Sequence, residues 1–269
     1  MNKTILITGS SSGIGESTAH LFQEKGWNVA ATMRNPERYS KSQGFDNIAY
    51  FRLDVTNSDT INQAIEDVIE RFGKIDVVVN NAAYSLTGPF EAGSTEQIQA
   101  LYDVDVFGVM NVTRAVIPYF RKWGNGIIVN ISSLGGRVGI PQSSFYASAK
   151  WAVEGFSESI RFELKKLGIR IKIIEPGGVK TNFAKNSTIV RMDEIPSYKK
   201  TMDKRIAAYE KRRSRLSDPS DIAEVVYRAA TDHHDRLRYL AGDDAKFFWR
   251  LKRILPFPVF TRLVDRLAG

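Results

Sequence analysis

Short runs of β-branched and aliphatic residues alternate with longer stretches whose apolar positions recur every three or four residues. Thr4–Thr8, Asn28–Met33, Ile48–Leu53, Ile75–Val79, Gly126–Ile131 and Arg170–Glu175 have the first pattern and predict strands. Ile14–Lys25, Ser58–Phe72, Thr95–Trp123 and Phe145–Leu167 have the second and predict helices, the third of them bent near Gly108 or Pro118. Strands that are almost wholly apolar must be covered on both faces. With a helix after each, they predict a doubly wound α/β fold built on a parallel sheet, with its ligand site at the carboxyl ends of the strands. A polar, basic stretch from Thr181 to Ser217 follows, then a helix start at Asp218–Asp221, a last strand at Leu237–Ala241 and a tail rich in Phe, Trp, Leu and Arg. No repeat or low-complexity linker divides the 269 residues, so one domain is expected, with residues 182–217 as a substrate lid and 243–269 as the tail.

Composition narrows the chemistry. There is no cysteine, which excludes a disulfide scaffold, a thiol nucleophile and a thiolate metal site. Three histidines, two of them the neighbours His233 and His234, do not make a metal centre, and no metal is expected. The 38 basic and 30 acidic residues leave a formal charge of +8, which suits nucleic acid, a membrane surface or simply an anionic ligand; no nucleic-acid partner is expected. No apolar run approaches the ~18 residues of a membrane span, and with the first strand beginning at Thr4 no signal peptide is expected. A cytoplasmic protein is the expectation.

Between the first strand and the first helix stands Thr8-Gly9-Ser10-Ser11-Ser12-Gly13-Ile14-Gly15. Its glycines allow a sharp turn and close backbone approach, and the helix start offers free N–H groups to a pyrophosphate. The spacing G-x-x-x-G-x-G differs from the commoner G-x-G-x-x-G, but its place between strand and helix is that of a dinucleotide site, with Gly9, Ser11, Ser12, Gly13, Ile14 and Gly15 as its residues. An NAD site carries Asp or Glu about 20 residues on, to hold the ribose 2′-hydroxyl. The chain has Thr32-Met33-Arg34-Asn35 there. Without a carboxylate, and with the planar fork of Arg34, the position favours the 2′-phosphate of NADP(H) over NAD.

Tyr146 and Lys150 lie four residues apart on a predicted helix and so share a face, and Ser133 precedes the tyrosine by thirteen residues, just past the fifth predicted strand. TGSSSGIG (Thr8–Gly15), LDVT (Leu53–Thr56), NNAA (Asn80–Ala83), ISS (Ile131–Ser133), YASAK (Tyr146–Lys150) and EPGGVKT (Glu175–Thr181) stand in one order along the chain. Together they resemble a short-chain dehydrogenase/reductase of the compact, single-domain, Rossmann-type group. That resemblance implies hydride transfer between nicotinamide and a small-molecule carbonyl or alcohol substrate. It implies Tyr146 as general acid in reduction and base in oxidation, Lys150 lowering the phenol's pKa and bonding the nicotinamide ribose, and Ser133 orienting the substrate oxygen. It further assigns Asp54 and Val55 to the adenine end. Asn81, Ala82 and Ala83 fall to the central section, and Pro176, Gly177, Val179 and Thr181 to the nicotinamide end. Homodimers or homotetramers through the two long helices are implied as well.

Two positions depart from the family pattern. Ala83 stands where glycine is usual and crowds the loop slightly. Asp105 stands where the family has asparagine, the fourth catalytic residue, whose backbone carbonyl holds a water beside the lysine. An ionised Asp105 would keep Lys150 charged but oppose the Tyr146 phenolate. A rival reading, an NADP-binding sensor with weakened catalysis, rests on this residue. Tyr84, Leu86, Phe90, Leu134, Val138, Ile140 and Phe183 are expected to wall a site for a hydrophobic aldehyde, ketone or secondary alcohol. The tail, interrupted by Pro256 and Pro258, is expected to pack on the lid or on a second subunit rather than on a membrane surface.

Overall fold

The computed structural model describes residues 2–39, 47–181, 183, 188–190 and 195–268. The part of the expected lid at residues 182, 184–187 and 191–194 lies outside the described residues. Seven strands, β1 (Thr4–Thr8), β2 (Asn28–Met33), β3 (Ile48–Arg52), β4 (Val77–Asn80), β6 (Gly126–Ile131), β7 (Ile169–Pro176) and β9 (Arg238–Ala241), form one sheet in the order β3-β2-β1-β4-β6-β7-β9. All its pairings are parallel. Two further two-residue strands, β5 (Leu86–Thr87) and β8 (Thr188–Ile189), pair apart from it.

Side-chain alternation along each strand feeds two separate cores. Ile5, Ile7, Val29, Val77 and Val129 point to one face, where Phe22 of helix α1 (Gly13–Glu24) and Ile222 and Val226 of helix α7 (Pro219–Thr231) cover them. Leu6, Ala30, Val78 and Ile128 point to the other. There they meet Ile61 and Ile65 of α2 (Ser58–Phe72), Val112, Val116 and Phe120 of α4 (Gly108–Trp123), and Leu164 of α5 (Ser144–Lys165). The sheet is thus doubly wound, and strand order reverses between β1 and β4, which opens a crevice at their carboxyl ends.

The helix expected over Thr95–Trp123 is in three parts. After α3 (Thr95–Tyr102), residues Asp103–Phe107 form a π turn in which the Gly108 N–H reaches back to the Asp103 carbonyl, and α4 begins at Gly108. The interruption falls at Asp103–Phe107, just before Gly108, while Pro118 sits inside α4. A Cβ at Gly108 would come within 2.7 Å of Val55 Cγ2, so only glycine lets the helix lie this close to the loop after β3. The inserted residue of a π turn changes which side chains face inward, and here Asp105 and Val106 are the buried ones.

The basic stretch before Ser217 contains helix α6 (Pro196–Arg212), and the tail forms two helices, α8 (Asp243–Ile254) and α9 (Phe257–Ala268), joined at Leu255–Pro256. α6 is not legible in the polar, basic stretch, where the periodicity is sparse; the tail, expected as a helix on the lid or a second subunit, packs through Phe260 and Val264 on Leu134 and Val138. Met202, Ile206 and Tyr209 give α6 its only apolar i, i+4, i+7 stripe.

Candidate active site

The glycine loop is shaped as much by its protein neighbours as by any ligand. Gly9 and Gly13 take positive φ (67° and 63°), a conformation other residues adopt only under strain. A Cβ on Gly9 would lie 2.8 Å from Ala82 Cα, and one on Gly15 would lie 2.5 Å from Asn81 Nδ2. Asn81 occupies that space because its amide donates to the Thr8 and Gly9 carbonyls at 2.9 and 3.0 Å, fastening the end of β4 to the loop. The Thr8 hydroxyl accepts from the Asn81 and Ala82 N–H groups, both at 3.0 Å. Ser12 stands at the N-cap of α1 without a side-chain cap bond, so the first-turn N–H groups of Gly13, Ile14 and Gly15 remain available to an anion. Beside them opens a cleft of about 740 Å³ whose lining includes Ser12, Gly13, Lys180, Thr181, Tyr209 and Arg213. The residues therefore fit a dinucleotide pyrophosphate.

Arg34 follows β2 directly, exposed and without an ion pair among the described residues. Tyr39 hangs over the same loop, its hydroxyl donating to the Ser11 carbonyl at 2.9 Å. One carboxylate oxygen of Asp54 is engaged locally, accepting from the Thr56 N–H and hydroxyl at 3.0 and 2.8 Å. Val55 is buried against α4, and its carbonyl accepts from Asn111 at 3.4 Å. Ala83 is half-buried beside Ala82.

Across the crevice, Ser133 stands two residues past the end of β6, and α5 presents Tyr146 and Lys150 on its inner face. The Ser133 hydroxyl hydrogen-bonds with the Tyr146 phenol and accepts the Gly135 N–H at 3.0 Å. Lys150 Nζ lies 5.6 Å from the centre of the Tyr146 ring, donates to the Ile131 carbonyl at 3.3 Å, and forms an ion pair with Asp105 Oδ2 at 3.1 Å. The other Asp105 oxygen accepts the Tyr84 N–H at 3.0 Å. Asp105 and Lys150 are 0% and 3% exposed, so nothing screens this pair. A buried chain of amides braces the helix from below: Asn80 donates to Asn130 at 2.8 Å, and Asn130 to the Ser157 hydroxyl of α5 at 2.8 Å.

The charges follow from this packing. Burial pushes the Asp105 carboxyl up, against the pull of Lys150 and the Tyr84 N–H. For Lys150 burial acts downward, but Asp105 and Tyr146 outweigh it and hold the ammonium above the usual lysine range. The Tyr146 phenol is raised by burial and by Asp105, against the lowering effects of Lys150 and the Ser133 hydrogen bond. At neutral pH Tyr146 therefore carries its proton and Lys150 its charge.

The Pro176–Thr181 segment is held by a residue that the sequence motifs do not contain. Asp244 of α8 accepts the Gly178 N–H at 2.7 Å, and its carboxylate fills the space in which a Gly177 Cβ would sit, 1.9 Å from Oδ1. Pro176 is buried at the end of β7, Val179 bridges to Ser217, and Thr181 Cγ2 would meet a Gly13 Cβ at 3.1 Å, so the segment closes back on the glycine loop. Arg205 of α6 donates to the Pro141 carbonyl and, at 2.6 Å, to the Ser143 hydroxyl, tying α6 to the loop before α5. Of the expected wall, Leu86 and Val138 belong to packed clusters of the core, and Leu134 is nearly buried with Val138. Phe183 meets the edge of Tyr146 at 5.8 Å, a Gly135 Cβ would touch both Ile140 and Tyr146, and Phe90 stacks on Phe145.

Behind the site, Glu175 is buried between Arg137 at 2.9 Å and Arg238 at 3.4 Å, and Arg238 also reaches Glu154 at 3.0 Å. Burial, with Glu154 nearby, pushes the Glu175 carboxyl up to about 7. A carboxyl that holds its proton more tightly folded than unfolded adds stability at low pH, and this is lost as pH rises through about 7. The melting temperature of the wild type minus that of Glu175→Gln should therefore fall between about pH 5 and pH 8, and a flat difference would contradict this.

A parallel doubly wound sheet with this loop and this Ser–Tyr–Lys cluster defines a nucleotide-binding oxidoreductase. The short chain dehydrogenase family matches residues 3–190, and the chain belongs to it. Its members use a nicotinamide cofactor. Among relatives, the 3-ketodihydrosphingosine reductase of Bacteroides thetaiotaomicron is 40% identical over 185 residues, 69% of this chain and 67% of that protein. A short-chain dehydrogenase from Streptomyces avermitilis has a similar structure, with a TM-score of 0.81 and 30% identity over 100% of this chain and 98% of the other. ElxO, solved with NADP bound, has a TM-score of 0.74 and 26% identity over 92% of this chain and 100% of its own. No described helix is long and apolar enough to cross a membrane.

Proposed function

We propose that the protein is an NADP(H)-dependent reductase of apolar ketones or aldehydes, able to run in reverse on secondary alcohols. The observation that carries this reading is the convergence of Ser133, Tyr146 and Lys150 on one side of the crevice and an uncapped helix start on the other. When bound, the cofactor supplies the hydride. Ser133 accepts the Gly135 N–H and orients its hydroxyl toward the carbonyl oxygen, stabilising charge as it develops there. Tyr146, protonated at neutral pH, passes its phenolic proton to that oxygen. Lys150 stabilises the phenolate left behind. In oxidation the same phenolate takes the proton back.

The lining at Ile140 and Phe183 is apolar, and the Bacteroides relative is named for a keto group on a sphingoid chain, which together support a long-chain ketone. Exposed Phe107 and Phe162, at α4 and on α5, support a homo-oligomer through these helices. The test is cofactor oxidation over a series of ketones of increasing chain length, with NADPH and NADH compared. Turnover should rise with chain length and favour NADPH; faster turnover with NADH would refute the cofactor assignment. Arg34→Ala should weaken NADPH binding about tenfold to a hundredfold, as the loss of charged hydrogen bonds to a phosphate does, and leave NADH almost unchanged. Equal losses for both cofactors in calorimetry would remove Arg34 from the 2′-phosphate site. The weakened-sensor reading retains one support, the direct Asp105–Lys150 ion pair, and tight NADPH binding with no turnover on any carbonyl would favour it.

A further inference from the structure

The two C-terminal helices form a hairpin with an unusual outer surface. Its inner side is committed to the body of the protein: Ala245, Phe260 and Val264 pack with Leu134 and Val138, the loop that follows Ser133. Trp249 lies under the Arg137 guanidinium at 4.1 Å, and Lys252 sits over the Trp151 ring at 5.0 Å while donating to the Arg137 carbonyl. The apex is therefore held rigidly. At that apex Ile254 is 77% exposed, Phe257 73% and Val259 47%, with Phe247 half-exposed on the outer face of α8. Large apolar side chains this open, grouped at one turn, mark an interaction surface.

The charge nearest the turn is basic, while the acidic residues Asp243, Asp244 and Asp265 lie toward the far ends of the two helices. Arg250 and Arg253 share the exposed side of α8 with Phe247 and Ile254, and Arg262 follows Val259 on the exposed side of α9 by helical spacing. None of the three has a carboxylate partner among the described residues. A second copy docked apex to apex would bring these arginines against their own symmetry mates. An anionic lipid surface would neutralise them, and a convex apolar turn fits a headgroup layer better than a flat protein face. We infer that the Ile254–Val259 turn is a docking site for anionic bilayers, with Ile254, Phe257 and Val259 entering the headgroup–acyl boundary and Arg250, Arg253 and Arg262 on the phosphates. The hairpin lies on the membrane and does not span it. Since its inner side packs on Leu134 and Val138, docking brings the catalytic loop to the lipid surface. This inference stands independently of the substrate proposed above.

Vesicle flotation tests it, with the full chain and vesicles of phosphatidylcholine alone or mixed with phosphatidylglycerol. The wild type should float with the anionic vesicles, less so as salt rises, and remain behind with the neutral ones. Ile254→Ser with Phe257→Ser should lower partitioning about tenfold or more, and Arg250→Glu with Arg253→Glu should abolish the preference for anionic lipid. Both pairs lie on the surface, and an unchanged melting temperature confirms folding; if one pair lowers it, the other carries the test. No flotation, or flotation insensitive to both pairs, would overturn the inference. So would a dimer that Ile254→Ser with Phe257→Ser converts to monomer in light scattering, which would assign the turn to a second copy.

Discussion

Tyr146→Phe is expected to lower turnover about a thousandfold, within the range that general acid–base groups contribute, while NADPH binding changes little. The ring keeps its place: its edge still meets Phe183 at 5.8 Å, and the space beside Gly135 is unchanged. Only the phenolic hydroxyl is removed, and with it the transferable proton and the bond to Ser133. Phenylalanine cannot serve as acid or base, so both directions should fall together. Near-normal turnover in stopped-flow assays would show that another group delivers the proton, and the Ser133–Tyr146–Lys150 reading would fail.

Asp105→Asn is expected to act through pH. In the wild type Asp105 raises the Tyr146 phenol and, by pairing at 3.1 Å, holds Lys150 charged. Asparagine retains an acceptor for the Tyr84 N–H but carries no charge, so the phenolate is opposed by burial and no longer by a neighbouring carboxylate. The sign is then fixed: the Tyr146 pKa falls, and alcohol oxidation, which needs the phenolate, shifts its rising limb to lower pH. Relief of about 1.4 kcal/mol of repulsion would give about a tenfold gain in oxidation near neutral pH. Lys150 loses its raising partner in the same substitution but keeps the Ile131 carbonyl at 3.3 Å. A pH–rate profile for alcohol oxidation that superimposes on the wild type would show that Asp105 has no influence on the phenol.

What the sequence discloses about such a site depends on the distance over which each feature is encoded. The glycine loop is eight consecutive residues and the Tyr146–Lys150 spacing one turn of helix, so both are written locally and both form as expected. The alternation of Ile5, Leu6 and Ile7 likewise announces a strand buried on both faces. Asp105 is visible as an unusual residue, but the π turn that buries it depends on how Gly108 packs against Val55, which no local pattern states. Asp244, which holds Gly178, is 66 residues away from it, and Arg205 is 62 from Ser143; contacts of that span follow from the tertiary fold. Leu86 and Val138 have the composition of a substrate wall, and the same apolar character makes them core. The pairing of the two-residue strands β5 and β8 leaves no periodicity to read.

The most direct measurement is the isotopic composition of the alcohol formed from a long-chain ketone when the NADPH supplied carries deuterium at its transferable position. The alcohol should gain one deuterium on the carbon that bore the carbonyl, and Tyr146→Phe should yield almost none of this product. Unlabelled alcohol, or no alcohol from any ketone under conditions where NADPH is bound, would contradict the assignment of this crevice to carbonyl reduction.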